Sequence, residues 1–280
     1  MRVLETVDAV RAARRELRIL GLVPTMGYLH AGHMALVEQA KAENQAVAAS
    51  IFVNPAQFGP AEDFARYPRD LPRDLAMLEA AGVDLVFVPP VAEMYSEGYS
   101  TYVEVEGITR LLEGAARPGH FRGVATVVCK LLNIMDAERA YFGQKDAQQT
   151  VVVQQMVRDL NLRTQIVVVP TVREPDGLAL SSRNAYLSPE ERAAAPVLYR
   201  SLEAARAAWE SGERSGAALR ARMNDVLARE PLARVDYVSV ADPRTLQELD
   251  DVGDTALVSI AVRLGRTRLI DNIVLSRRLG

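Results

Sequence analysis

The sequence predicts an α/β chain in which a doubly wound parallel sheet is followed by a smaller α+β domain. Short apolar runs rich in Val, Ile and Phe alternate with segments of 3.6-residue apolar spacing as far as about residue 171. After that point the order changes, and Ala- and Arg-rich helical stretches are followed by strand-like runs. A chain of 280 residues is long for one compact domain, which fits a division into 1–171 and 172–280.

Strands are expected at 19–25, 46–53, 85–89, 140–142 and 165–170, with helices at 34–43, 71–81, 124–135 and 147–160. That alternation implies parallel strands joined by right-handed helical crossovers. The arrangement is Rossmann-like, and its ligand belongs at the carboxyl ends of the strands. In the second domain, residues 189–229 contain two helical stretches, and strands are expected at 235–240, 256–261 and 267–275. Leu264 and Gly265 between the last two runs mark a hairpin turn.

Hydrophobic residues make up 49% of the chain and charged residues 25%, enough for a buried core and too ordered a composition for wholesale disorder. A net charge of -3 gives no general attraction to nucleic acid or anionic membrane, so any phosphate site is a local pocket. Cys129 is the single cysteine, which rules out an intrachain disulfide and reads as a small buried hydrophobe in a reducing compartment. No apolar run reaches the length of a membrane span, and the amino terminus has no signal-peptide pattern. The chain is expected in the cytoplasm.

Residues 24–33 read Pro-Thr-Met-Gly-Tyr-Leu-His-Ala-Gly-His, between an expected strand and an expected helix. Such a junction aims unpaired backbone N–H groups and the positive end of the helix dipole at one point, which suits the phosphates of a nucleoside triphosphate. With Gly32 between them, the His30 and His33 rings can face one bound group that approaches the backbone closely. Structural zinc usually takes four N or S ligands, and the chain offers only Cys129 and one further histidine, His120, besides this pair.

Four more segments carry polar chemistry. Asn54 and Gln57 follow the next strand, where their amides can donate to a hydroxyl or carboxylate. In Phe142-Gly-Gln-Lys-Asp-Ala-Gln-Gln, Gly143 permits a tight turn, Lys145 brings a cation, Asp146 suits a helix cap, and Gln149 shares the face of Asp146. A Pro-Asp-Gly turn then leads to Ser181, Ser182, Arg183 and Asn184, which reads as a mobile lid over a triphosphate or as an interdomain loop. Arg117, His120 and Arg122 form a basic cluster suited to an anion or to a domain interface.

Together with Leu264-Gly-Arg-Thr-Arg-Leu-Ile-Asp-Asn near the carboxyl terminus, these ordered segments resemble the pantothenate synthetase (pantoate–β-alanine ligase) family. The His-x-Gly-His piece alone resembles only the wider nucleotidylyltransferase and class I aminoacyl-tRNA synthetase superfamily. The resemblance implies an ATP-dependent ligation in which pantoate forms pantoyl adenylate with release of pyrophosphate, after which β-alanine displaces AMP to give pantothenate. It implies that Met26, Gly27, Tyr28, Leu29, His30, Ala31, Gly32 and His33 lie along ATP. His33 would donate a proton or stabilise the transition state with help from His30, and Lys145 would offset phosphate charge.

Gly143, Gln144, Lys145, Asp146, Val172, Leu180, Ser181, Ser182 and Arg183 would line the same nucleotide, while Gln57 and Gln149 would hold pantoate and Gln57 would also meet β-alanine. Gln144 replaces a frequent Glu, and Leu180 a frequent Met. The acidic pair that the family associates with Mg²⁺ falls near Arg73 and Asp74, which leaves Asp74 as a weak ligand and Mg²⁺ resting mainly on ATP phosphates and water. A homodimer is implied, without nucleic-acid or membrane partners. Two other functions stand beside this one: nucleotidylyl transfer to a phosphate-bearing acceptor, which would need a basic pocket in place of Gln57 and Gln149, and non-catalytic nucleotide binding.

Overall fold

The structure, a computed structural model, describes residues 1–60 and 62–277. In chain order the first elements are β1 (Arg2–Leu4), α1 (Val7–Arg14), β2 (Leu20–Thr25), α2 (Ala31–Glu43), β3 (Ala46–Ile51), α3 (Leu71–Ala80) and β4 (Leu85–Phe87). Then come α4 (Val91–Met94), α5 (Leu112–Ala116), α6 (His120–Met135), β5 (Arg139–Gly143), α7 (Ala147–Asp159) and β6 (Gln165–Val169). These strands form one parallel sheet in the order β1-β4-β3-β2-β5-β6. The order reverses between β2 and β5, the place where a doubly wound sheet opens a crevice at its carboxyl edge.

Successive strand residues point to opposite faces, and both faces are covered. Leu22, Ala48, Phe87 and Phe142 join one buried cluster with Val124, Val128 and Leu131 of α6. Their chain neighbours Val23, Ala49, Val86 and Tyr141 join another with Leu36, Val37 and Ala40 of α2 and Leu78 of α3. This explains why the strands read as continuous apolar runs.

The remaining elements are α8 (Pro189–Ala194), α9 (Val197–Glu210), α10 (Gly216–Leu227), β7 (Ala233–Ala241), β8 (Thr255–Leu264) and β9 (Thr267–Ser276). Three helices stand where two stretches are expected, because Pro196 interrupts the run and becomes the cap of α9. The β7-β8-β9 sheet is antiparallel, with Leu264 paired to Thr267 across the expected turn. Ala256, Val258, Ile260 and Val262 of β8 pack with Leu269 and Ile273 of β9 and with Leu198, Leu202 and Leu219 of the helices. The chain divides into two compact units, Met1–Gln144 with Gln149–Pro170 and Lys145–Gln148 with Thr171–Gly280. Lys145 therefore groups with the carboxyl-terminal unit.

Candidate functional site

In the first unit, the turn after β2 carries two consecutive residues with positive φ, Gly27 at 80° and Tyr28 at 50°. For Tyr28 this backbone costs about 1–3 kcal/mol, so something must hold it. Asp74 of α3 does so. It is 1% exposed, and its Oδ2 and Oδ1 accept the N–H groups of Tyr28 and Leu29, each at 2.7 Å. A Cβ at position 27 would sit 3.0 Å from Asp74 Oδ2, so the anchor and the glycine require one another. The Leu29 side chain is buried in the core.

The turn ends in the cap of α2, which begins at Ala31, earlier than its apolar spacing indicates. His30 Nδ1 accepts the N–H of Gly32 at 3.1 Å, and His33 Nδ1 accepts the N–H of His30 at 3.3 Å. An Nδ1 that accepts cannot carry the proton of a neutral ring, so both imidazoles hold it on Nε2. The ring centroids are 4.1 Å apart. Two Nε2–H donors thus belong to one helix start, where the helix dipole favours an anion.

After β3, a 3-10 turn (Pro55–Gln57) carries the amides. Tyr95 donates to Asn54 Oδ1 at 2.7 Å, and Asn54 Nδ2 donates to Gln57 Oε1 and to the carbonyl of Gly123, both at 3.1 Å. Burial pushes the Tyr95 hydroxyl pKa well up, which keeps it a donor. The order of donors then fixes Gln57 with Oε1 occupied and Nε2 turned toward Met26 Sδ at 3.2 Å. Gln57 presents N–H groups, the polarity that recognises a carboxylate or hydroxyl oxygen. Gly123 of α6 lies directly under this turn, since a Cβ there would come 2.2 Å from the Ala56 carbonyl oxygen.

In the basic cluster at 117–122, Arg117 and His120 are bonded to groups within the protein. Arg117 bonds Glu62 at 2.6 and 2.7 Å and meets His120 Nε2 at 3.0 Å, while His120 Nδ1 reaches the Gln57 carbonyl at 2.8 Å. Since guanidinium only donates, Nε2 accepts and the Nδ1 proton goes to Gln57. Burial and the neighbouring Arg117 charge push the His120 pKa down to about 4, so the ring is neutral. Arg122 stacks over Tyr102, 3.7 Å from its ring centroid.

Gly143 closes β5, and a 3-10 turn (Gln144–Asp146) leads into α7, whose first turn holds Gln149. Within the second unit, Lys145 Nζ lies 3.3 Å from Asp146 Oδ1. The polar loop expected as a lid or an interdomain connection opens with a hydrogen-bonded hairpin. Arg173 and Ala179 pair as an antiparallel bridge, Glu174 N–H bonds Leu178 O at 2.8 Å, and Leu180 N–H bonds Val172 O at 3.0 Å. Leu178 and Ala179 are buried, and the Pro-Asp-Gly turn caps a hydrogen-bonded hairpin. Ser181 Oγ then accepts the Arg183 N–H at 3.2 Å and starts the 3-10 turn Ser182–Tyr186.

As a metal ligand Asp74 is poorly placed, because each carboxylate oxygen already serves a backbone donor and its neighbour Arg73 is a cation. Among the described residues, no group of three or more His, Cys, Asp or Glu could hold a metal ion. Sequence reasoning misses Tyr95, Arg117 with Glu62, and the Arg173–Asp271 pair. Their partners lie 41 to 98 residues away, beyond any local signal.

Residues 2–274 match the family model for pantoate-beta-alanine ligase. The pantothenate synthetase of Chloroflexus aggregans is 67% identical over 98% of this chain and 100% of its own length. Among solved structures, pantothenate synthetase from Thermus thermophilus superposes with a TM-score of 0.95 at 54% identity, covering 99% of this chain and 100% of that one. Pantoate-beta-alanine ligase from Francisella tularensis, complexed with beta-gamma ATP and β-alanine, gives 0.80 at 35% identity over 98% and 97% of the two chains.

Proposed function

This chain belongs to the pantoate–β-alanine ligase family, and on that premise we propose how its own residues carry the ligation. The enzyme joins the carboxylate of pantoate to the amine of β-alanine at the expense of ATP, making pantothenate. A carboxylate is a poor electrophile, so the proposed route first activates it. A pantoate oxygen attacks the α-phosphorus of ATP and pyrophosphate leaves. The amine of β-alanine then attacks the acyl carbon of pantoyl adenylate, and AMP leaves as the amide forms. Positioning and charge stabilisation supply most of the acceleration in such a sequence.

The observation that carries this reading is the paired cap at the start of α2, with both Nδ1 atoms accepting backbone N–H groups. On this reading His33, assisted by His30, would donate an Nε2–H to charge that grows on the phosphate. The turn at 26–33 and the segments at 143–146, 172 and 180–183 would line the nucleotide. Lys145 would meet phosphate charge as a point cation, with Ser181, Ser182 and Arg183 as further donors. The Gln57 N–H groups, held by Asn54 and Tyr95, would orient the pantoate carboxylate, together with Gln149. Among the described residues none forms a cluster fit to hold Mg²⁺, so magnesium would enter as part of the MgATP substrate, held by phosphates and water.

A pantoate-dependent ATP–pyrophosphate exchange without β-alanine tests the route. Exchange at a rate comparable to turnover supports it, and exchange only when β-alanine is present overturns it. A cytoplasmic homodimer belongs to the same proposal. Light scattering of the purified enzyme checks its stoichiometry, and fractionation of the source cells its compartment.

A further inference from the structure

The motif near the carboxyl terminus includes Asp271 and Asn272, and both residues are almost fully buried, at 2% and 3% exposure. They are consecutive on β9, so their side chains leave the strand on opposite faces. Asp271 shares its face with Leu269 and Ile273, which belong to the core under α9. There its carboxylate takes a two-point bond from Arg173, at 2.6 and 2.9 Å. The same guanidinium donates to the Gly177 carbonyl at 3.0 Å and stacks 4.0 Å from the ring centroid of Tyr199 on α9. Arg173 stands at the base of the hairpin that leads to Ser181, Ser182 and Arg183. On the other face, Asn272 Nδ2 donates to the backbone carbonyl of Lys145 at 2.8 Å.

One dipeptide therefore holds both phosphate-directed segments of this unit, the lysine turn through Asn272 and the hairpin through Asp271 and Arg173. The two segments are far apart in sequence, and β9 gives them a common rigid support with its register fixed by ten pairs to β8. A small cavity of about 10 Å³ lies among Lys145, Ser181, Asn184 and Asp271, so the segments close on one another with little slack. We propose that Asp271 and Asn272 are positioning residues that set where Lys145 stands relative to the Ser181–Arg183 donors. The inference rests on the proposed role of Lys145 in adenylation.

A double-mutant cycle on the full-length enzyme tests it, read by pantoate-dependent ATP–pyrophosphate exchange. Asn272→Ala should lower the maximal exchange rate by about 10- to 100-fold, the loss expected when a reacting group is held out of place. The KM for pantoate should stay within about two-fold, because uniform binding is untouched. In a Lys145→Ala background the same substitution should have almost no further effect. Multiplicative losses would show that Asn272 acts through general stability and would overturn the proposal, as would an unchanged rate in Asn272→Ala. If Lys145→Ala alone leaves exchange intact, the lysine role fails instead, and the two failures are thereby distinguished. Should Asn272→Ala not fold, Asn272→Ser, whose hydroxyl is too short to reach the carbonyl, replaces it in the same cycle.

Discussion

The turn after β2 and the hairpin at 172–180 each hold a short polar segment with a buried aspartate, yet the partners of that aspartate differ. Asp74 accepts two neutral backbone N–H groups, and a second neutral relay follows β3, where Tyr95 donates to Asn54 and Asn54 to Gln57. Asp271 instead meets a guanidinium that is itself stacked on Tyr199. Neutral relays decide which atom a side chain shows to a ligand. A buried ion pair decides where a segment stands, and it leaves an uncompensated charge if one partner goes.

The largest effect should follow from Arg173→Ala. Removing one member of a buried pair typically costs about 3–5 kcal/mol, and here Asp271 would remain 2% exposed without its cation. Chemical denaturation should show that loss; a change under about 1 kcal/mol would erase the contrast between the two anchors. Next in size, His33→Ala should slow pantoate-dependent exchange by about 10²–10³-fold, or ~2.7–4 kcal/mol, with little change in ATP affinity. Weakened ATP binding at an unchanged rate would assign the cap to ground-state binding.

The third effect probes the neutral relays by pH. His120 binds its proton only near pH 4 in the native state, against an ordinary value of 6.5, so the unfolded chain takes up a proton first as pH falls. Stability contributed by the neutral ring is complete above about pH 6.5 and falls toward pH 4, by at most about 3 kcal/mol. The urea midpoint of the wild type should drop across that window more than that of His120→Asn. The smallest effect belongs to Tyr95→Phe. Asn54 Oδ1 keeps the Ala56 N–H at 3.3 Å, so the loss should be about 1 kcal/mol, read as a several-fold rise in the KM for pantoate with kcat nearly unchanged.

The parallel sheet is legible because both of its faces are buried and its strands read as apolar runs; β2 to β6 all lie within two residues of their expected limits. By contrast β1 (Arg2–Leu4) has no such signal, being three residues long at the sheet edge and largely exposed. The starts of α2 and α6 precede their apolar spacing, since capping at His30 and a glycine at 119 set them. Motif spacing finds the histidine cap and the Asn54–Gln57 pair. It does not reach the partners of Asp74, Arg117 and Arg173, because whether a charged side chain meets a ligand or another residue depends on groups brought together only by the fold. Asp74 reaches Tyr28 across 46 positions, and Arg173 reaches Asp271 across 98.

Gly123 gives the helix under Gln57 no side chain at all, and the 3-10 turn rests on bare backbone. Ordinary contact begins near 3.4 Å, so a methyl group 2.2 Å from the Ala56 oxygen would have to lift the turn by more than an ångström. Gln57 rides on that turn. The residue at 123 is therefore a depth stop, and its size sets the height at which the Gln57 amide stands. A larger residue at this one floor tile would move Gln57 through its backbone and leave the polar groups that hold its amide unchanged.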